Sequence, residues 1–106
     1  MTDSDSRILS YLGLAQRAGQ MVTGFNAVTA AIGKGRVKLV VMAADISEHT
    51  AEKVERFCLQ GQVPCFYLAD RNRVGKAIGR DNRAVLGITS RELASALERI
   101  LSSADR

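Results

Sequence analysis

Residues 23–45 read TGFNAVTAAIGKGRVKLVVMAAD. The apolar spacing predicts a short strand that ends at Gly24, a helix that opens at Asn26 and a wholly apolar, buried strand before Asp45. The connection into that buried strand is basic, with Lys34, Arg36 and Lys38. A strand, a helix and a strand with short connections form the repeating unit of an α/β fold, so this stretch sets the fold class.

The same alternation extends over the rest of the chain. Apolar spacing predicts helices over 5–18, 26–33, 47–60, 71–78 and 90–102, and strands over 21–23, 39–43, 65–68 and 85–89. Ser47, Asp70 and Ser90 are the predicted N-caps of three of these helices. We therefore predict one α/β domain over residues 1–106, built as a three-layer α/β/α sandwich around a central four-stranded mixed sheet.

Length and composition are those of an ordinary globular domain. The chain has 106 residues, of which 46% are hydrophobic and 25% charged. No stretch approaches the roughly 20 apolar residues of a membrane span. The N-terminal sequence MTDSDSR is polar and acidic, unlike a signal peptide. These features predict a cytoplasmic protein that does not associate with membranes.

Charge is distributed in blocks along the chain, although the net charge of +4 is moderate. Residues 6–44 hold five cations and no acid, and residues 71–106 hold eight cations against four acids. Between them, residues 45–70 hold five acids against two cations. Arginine outnumbers lysine 11 to 4. A basic face rich in arginine favours a nucleic-acid partner, because the guanidinium group binds phosphate in a bidentate way.

Motifs for catalysis or nucleotide binding are missing from the sequence. The GKG at 33–35 lacks the glycine spacing of a P-loop, and Arg36 stands where that motif has Ser or Thr. Asp45 follows a strand, as the phospho-acceptor of a receiver domain does, but the acidic metal ligands of such a domain are missing after the first strand. We therefore expect Asp45 to cap the turn into the third helix or to order the loop. His49 is an isolated surface histidine. We therefore predict no enzymatic activity, no cofactor and no metal.

The two cysteines are expected to be reduced core residues. Cys58 falls on the inward stripe predicted for the third helix, beside Phe57, and Cys65 falls in the third strand. Their spacing is not CxxC, and no histidine lies close enough in sequence to complete a zinc site. A free cysteine in such a position usually acts as a small hydrophobic residue.

Gly24 and Asn26 mark the most informative position for function. A helix start gathers unpaired N–H groups and a positive dipole end, which suit an anion. The asparagine amide offers a donor and an acceptor that could recognise a base edge. The alternative is a purely structural role, in which the glycine permits a turn and the asparagine caps the helix.

A second basic cluster supports the functional interpretation. Arg71 and Arg73 open the fourth helix, and the polar loop RDNRA covers residues 80–84. In an alternating sandwich such loops can gather at one edge of the sheet. The arginines would then bind RNA phosphates, and an apolar lip formed by Val85 and Leu86 would support an unstacked base.

The chain resembles a known family in five pieces that occur in the right order. These are LGLAQRAGQ at 12–20, GFNAVTAAI at 24–32, KLVVMAAD at 38–45, VPCFY at 63–67 and VGKAIG at 74–79. They resemble the kink-turn RNA-binding family of ribosomal proteins (the L-seven-Ae and L-thirty-e types) and, within it, the small bacterial YlxQ-like branch. The resemblance implies an α/β/α sandwich that binds RNA.

The family pattern at the second helix is G-x-N-E-x-x-K. The resemblance implies that Gly24 permits close approach of RNA and that Asn26 recognises the sheared G·A pairs of a kink-turn. Ala27 and Ala30 replace the family's Glu and Lys. These changes remove one contact to an RNA base and one contact to the RNA backbone. Lys34, one helical turn beyond Ala30, would partly replace that lysine.

Further positions match the family outside this helix. Arg71 resembles a backbone-contacting lysine, Arg83 resembles the arginine of the loop before the last strand, and Val85 and Leu86 fall near its apolar lip. The predicted RNA-binding residues are therefore Gly24, Phe25, Asn26, Ala27, Ala30, Lys34, Arg71, Arg83, Val85 and Leu86.

The leading hypothesis is a non-enzymatic, ribosome- or translation-associated protein that binds kink-turn or internal-loop RNA. We expect a monomer whose partner is structured RNA, ribosomal or another kink-turn RNA, with the ribosome as a further partner. The alternative is a protein-interaction module on the same fold with weak or no RNA binding, which the alanines at 27 and 30 favour. A small α/β enzyme that acts on RNA is a third and weaker hypothesis.

Overall fold

A computed structural model describes residues 3–80 and 83–104 of the chain. Helices and strands alternate along this part, as the sequence predicts. In chain order they are α1 Asp3–Arg17, β1 Met21–Thr23, α2 Phe25–Gly33, β2 Leu39–Ala43, α3 Glu48–Gly61, β3 Cys65–Leu68, α4 Arg71–Ala77, β4 Val85–Ile88 and α5 Arg91–Ala104. The first three strands have the predicted bounds, and the bounds of the other elements differ from the prediction by at most two residues.

The four strands form one mixed sheet in the order β1-β4-β2-β3. Strand β4 pairs antiparallel with β1 on one side and with β2 on the other, whereas β2 and β3 are parallel. It follows that β1, β2 and β3 run in one direction and β4 in the other. The predicted α/β fold with a four-stranded mixed sheet is confirmed.

Strand β2 is buried on both faces, which is why its sequence shows no polar alternation. Leu39, Val41 and Ala43 contribute to a core shared with α1, α4 and α5. Val40 and Met42 contribute to a second core, shared with α2 and α3. One sheet between two helical layers is the predicted three-layer sandwich.

Side-chain caps stabilise the starts of three helices, as predicted. The Ser47 hydroxyl accepts from Thr50 N–H at 3.2 Å, and the Asp70 carboxylate accepts from Arg73 N–H at 2.9 Å. Ser90 accepts likewise from Leu93 N–H at 3.2 Å, which begins α5. Each cap satisfies a backbone donor that has no acceptor within its helix.

Helix α2 departs from the prediction at its start. It begins at Phe25 rather than Asn26, and its N-cap is Gly24, which offers no side chain to cap the helix. In the alternative interpretation, Gly24 permits the turn and Asn26 caps the helix. The positive φ of Gly24 agrees with the first part, but the second part is wrong, because Asn26 lies inside the first turn.

Helix α3 differs in one inward position. Ala51, Val54 and Cys58 are buried as predicted, but Phe57 is 38% exposed. The three smaller side chains fill the buried stripe, and the phenylalanine ring lies at its margin. Cys58 is buried and Cys65 half-buried, both as free thiols.

The helices of the described part of the chain lack the length and apolar character that crossing a bilayer requires.

Candidate nucleic-acid interface

Strand direction brings four connections to one end of the sheet. The carboxyl ends of β1, β2 and β3 lie there, together with the amino end of β4. Gly24 N–H donates to Val85 O at 2.9 Å, and Ala44 N–H donates to Leu68 O at 3.0 Å, so backbone bonds tie these connections together. We call this region the carboxyl end of the sheet. It contains the starts of α2, α3 and α4 and the residues that precede β4.

Gly24 has a backbone conformation that only glycine adopts readily, with φ 94° and ψ 152°. A Cβ built on Gly24 would have no heavy atom within 4 Å, so the space beside it is open. Within α2 the first backbone bond runs from Val28 N–H to Gly24 O. The N–H groups of residues 25–27 therefore point out of the helix end without an acceptor in the described part of the chain, where the helix dipole is positive.

Asn26, Ala27 and Ala30 lie on the exposed face of α2. The opposite face is buried, and Thr29 there donates its hydroxyl to Phe25 O at 2.9 Å. Because Asn26 does not cap the helix, its side-chain amide makes no hydrogen bond to the described residues. An exposed amide beside unpaired N–H groups can bind a partner that presents both acceptors and donors, as a base edge does.

A cavity of about 320 Å³ opens beside the start of α2. Its lining residues are Gly24, Phe25, Ile46, Ser47, Thr50, Arg71, Arg83, Ala84 and Val85. Five of the predicted site residues are thus brought together by the fold. Among the described residues, two cations and no acid line the cavity.

Arg71 is held at the rim of this cavity by Asp45. The guanidinium Nη2 donates to Asp45 O at 3.0 Å, and Nε lies 3.6 Å from the carboxylate Oδ1. The same Oδ1 accepts from Arg71 N–H at 3.0 Å. Asp45 therefore orders the loop by joining it to the first turn of α4, whereas Ser47 caps α3. The Arg71 side chain remains 42% exposed, so its outer edge is open to a ligand.

Arg83 is half-buried and also lines the cavity. Its Nε atom is buried and has no hydrogen-bond partner among the described residues. A buried donor without an acceptor costs free energy. Residues 81 and 82 of the predicted polar loop lie outside the described residues.

The predicted apolar lip differs from the structure. Leu86 is fully buried, and Val85 is only 3% exposed, because both belong to a strand that is paired on both sides. Val85 forms part of the cavity wall, but Leu86 faces the core under α1 and α5 and cannot contact a base. The prediction for Leu86 as a base-supporting side chain is wrong.

Lys34 lies at the far end of α2, where it is the C-cap. It is exposed and one turn beyond Ala30, as predicted. Eight residues separate it from Asn26, which corresponds to about 12 Å along the helix axis. Lys34 therefore lies outside the cavity and can contact only a ligand that extends along α2.

Four cavity residues were not among the predicted site residues. Ala84 belongs to the predicted polar loop before β4. The other three, Ile46, Ser47 and Thr50, come from the connection after β2 and from the first turn of α3. The signal for them was the carboxyl end of a buried strand, where α/β sheets often bind ligands.

The sequence and the fold match known proteins over most of the chain. The model of the ribosomal protein L7Ae/L30e/S12e/Gadd45 family matches residues 6–98. The chain belongs to this family. The predicted resemblance to its YlxQ-like branch is also confirmed. The RNA-binding protein YlxQ of Bacillus subtilis (strain 168) is 37% identical over 90 residues, which are 85% of this chain and 90% of that protein. The RNA-binding protein YlxQ of Enterococcus faecium is 33% identical over 95 residues, 90% of this chain and 91% of that protein.

Solved structures share the family fold with this chain. A protein of unknown function from Bacillus halodurans superposes with a TM-score of 0.87 at 35% identity, covering 90% of this chain and 96% of that one. The 15.5kD RNA binding protein of Giardia lamblia superposes with a TM-score of 0.82 over 99% of this chain and 91% of that one. At 18% identity, the second match concerns the fold alone.

Proposed function

We propose that this chain is a non-enzymatic RNA-binding protein that recognises a kink-turn or another internal loop. The observation that carries the proposal is the gathering of the α2 start, Arg71 and Arg83 around one cavity at the carboxyl end of the sheet. Two relatives from the same family are named RNA-binding protein YlxQ, which supports an RNA partner. We further propose that the protein acts as a cytoplasmic monomer in association with the ribosome or translation.

Each part of the site has a chemical role in this proposal. The N–H groups of residues 25–27 and the Asn26 amide bind base edges, where hydrogen bonds distinguish one base from another. Arg71 and Arg83, which both line the cavity, bind phosphates, and Asp45 fixes the position of the Arg71 guanidinium. The positive φ of Gly24 and the open space beside it let the RNA approach the helix start closely.

Ala27 and Ala30 reduce the number of RNA contacts that the site can make. Both are exposed beside Asn26, where the family pattern places a glutamate and a lysine. By analogy with base contacts to DNA, one lost contact corresponds to roughly 1–3 kcal/mol. We therefore expect weaker or less selective binding than the complete pattern would give.

The test is a calorimetric titration of kink-turn RNA and of a plain duplex of equal length. Wild-type protein should prefer the kink-turn RNA, and Asn26→Ala should weaken that binding by about 5- to 150-fold, the range for one base contact. Gln60→Ala, which removes an exposed amide from the end of α3, is the matched control and should bind like wild type. Equal affinity of wild type for the two RNAs, with no effect of Asn26→Ala, would contradict the proposal.

A gain-of-function variant tests the same interface independently. Ala27→Glu combined with Ala30→Lys completes the family pattern at two exposed positions, so the fold should accept both changes. The double variant should bind kink-turn RNA more tightly than wild type and leave duplex binding unchanged. A uniform rise in affinity for both RNAs would indicate a nonspecific contact of the new lysine with the RNA backbone instead of loop recognition.

A second candidate function is protein interaction through the α3 side of the molecule. The observation in its favour is an exposed apolar group: Leu59 is 80% exposed and borders a groove with Glu52, Glu55 and Arg56. The test is a pull-down after nuclease treatment, with wild type and Leu59→Ser compared. Protein partners that bind wild type but not the variant would favour this function, provided that the protein has no RNA affinity at low salt.

A further inference from the structure

A second basic region lies outside the cavity, between α1 and α4. It is an open groove of about 490 Å³. Arg17 borders it from α1, and Arg73 and Lys76 border it from α4, one helical turn apart. The described lining also includes Ser10 and contains no acidic residue. Asp70 pairs with Arg73 at 3.7 Å from just outside the groove, and the Arg73 side chain remains 55% exposed.

A glycine fixes the shape of this groove. A Cβ on Gly13 would lie 2.8 Å from the backbone oxygen of Ala77, so α1 and α4 approach as closely as a residue without a side chain allows. The Arg17 Nη1 atom would lie 3.3 Å from the same Cβ, which places the guanidinium beside the helix crossing. The close crossing thus brings a cation of α1 next to the cations of α4.

Helix α4 connects the groove to the cavity. Arg71, at its first position, borders the cavity, and Lys76, five residues later, borders the groove. Five residues correspond to about 8 Å along the helix axis. Residues 71–80 contain no acid, and Asp45 and Asp70 pair with Arg71 and Arg73 at the start of the helix, so α4 carries cations to both sites.

We propose that the α1/α4 groove binds the phosphate backbone of the RNA stem next to the loop that contacts the carboxyl end of the sheet. This inference rests on the proposed function and extends its footprint from the loop to the adjoining stem. Arg17 and Lys76 contact phosphates, and Gly13 keeps the groove open. Such contacts carry no sequence information; they add affinity and fix the orientation of the protein on the stem.

The prediction concerns the salt dependence of binding, because each phosphate contact releases counterions. One contact changes the slope of log K against log salt by about 0.9. Removing two contacts with R17Q and K76Q should therefore lower the slope by about 2. Between 50 and 200 mM salt, the double variant should lose about tenfold less affinity than wild type. Both side chains are exposed, and circular dichroism checks that the fold is intact.

The experiment compares two kink-turn RNAs, one with an extended stem and one with the stem trimmed to the loop. The matched control is K53Q with R56Q, which removes two exposed cations from α3 on the opposite face of the sheet. The R17Q and K76Q variant should lower the slope only with the extended RNA. The control variant should give the same slope as wild type with both RNAs.

The outcomes separate this inference from the proposed function. If wild type prefers kink-turn RNA but the groove and control variants have equal slopes on the extended RNA, the groove assignment is overturned and the proposed function stands. If the R17Q and K76Q variant lowers the slope equally with both RNAs, the contacted phosphates belong to the loop, and the stem assignment is overturned. If wild type binds kink-turn RNA no better than duplex, the proposed function fails and the inference fails with it.

Discussion

Gly24 contributes to the site through its backbone. With φ 94° it turns the chain out of β1 and lets α2 begin without a side-chain cap. The helix therefore leaves its first N–H groups to an external acceptor, whereas Ser47 and Asp70 occupy those of α3 and α4. Of these three helix starts at the carboxyl end of the sheet, α2 is the one best suited to bind a ligand.

Gly24→Ala should destabilise the protein by about 1–3 kcal/mol, because an L residue is strained at this φ even though the space beside it is open. Gly33→Ala is the control: its Cβ also meets open space, but its φ is not positive, so we expect a neutral effect or a gain of up to about 1 kcal/mol. Urea unfolding measures both values. Equal effects of the two substitutions would refute the role of φ.

Cys58 makes stability depend on alkaline pH. Burial, and then the neighbouring Cys65, raise the pKa of the Cys58 thiol from 9.0 to about 12. Because the native state holds this proton more tightly than the unfolded chain, the stabilisation is complete below pH 9 and is lost as the pH rises toward 12. Between pH 8 and 10 the free energy of unfolding should fall by about 1 kcal/mol.

Urea unfolding of wild type and Cys58→Ala at the two pH values tests this dependence. The variant should be less stable at pH 8, because it leaves a small cavity, but its stability should change less with pH. Burial also raises the pKa of Cys65, so part of the dependence should remain in the variant. If the variant loses as much stability between pH 8 and 10 as wild type does, Cys58 is not the source of the pH dependence.

At the scale of elements, α4 is the helix that joins the two basic regions. It has only seven residues, so its stability depends on the Asp70 cap and on packing against α1. Val74 and Ile78 are buried on the core side. Its position relative to α1 is set at Gly13, where the two backbones are in close contact.

Gly13→Ala should therefore cost about 1–3 kcal/mol, the range for overpacking a well-packed contact. The new Cβ would clash with the backbone oxygen of Ala77, which cannot move without shifting α4. Differential scanning calorimetry gives the change, with Gly33→Ala again as the glycine control. A gain in stability would show that α1 and α4 can separate at little cost.

At the scale of the whole molecule, the two cores lie on opposite faces of the same sheet. Strand β2 contributes alternate side chains to each core, and β4 does the same with Leu86 and Val85. Loss of either helical layer exposes one face of the shared strands. The two layers should therefore unfold together.

Leu97→Ala and Val54→Ala test this coupling from opposite faces, since both side chains are fully buried. Leu97→Ala should cost about 2–5 kcal/mol, and Val54→Ala somewhat less, because it removes fewer atoms. Each variant should lower the temperature of one transition whose calorimetric and van't Hoff enthalpies agree. Two resolved transitions in either variant would contradict the coupling.

Acidic and basic residues are also distributed unevenly over the whole molecule. The acidic block of residues 45–70 covers α3 and β3, whereas α2, α4 and the groove on α1 are basic or neutral. An RNA molecule at the carboxyl end of the sheet would therefore be attracted to the starts of α2 and α4 and repelled by the acidic remainder of α3.

Local patterns in the sequence predicted the order of helices and strands, three of the helix caps and much of the candidate site. These features are local, because period-2 and period-3.6 spacing and cap residues act over a few positions. Gly24, Phe25, Arg71 and Arg83 were found in this way and through the family resemblance. The cavity brings all four together.

Contacts between residues far apart in sequence became visible only in the folded protein. The pairing of Arg71 with Asp45 spans 26 positions and depends on β2 and β3 being parallel neighbours. The burial of Leu86 depends on β4 lying inside the sheet, and the α1/α4 groove depends on a close crossing at Gly13. Strand order and helix crossings arise from packing between elements far apart in sequence, which no local pattern specifies.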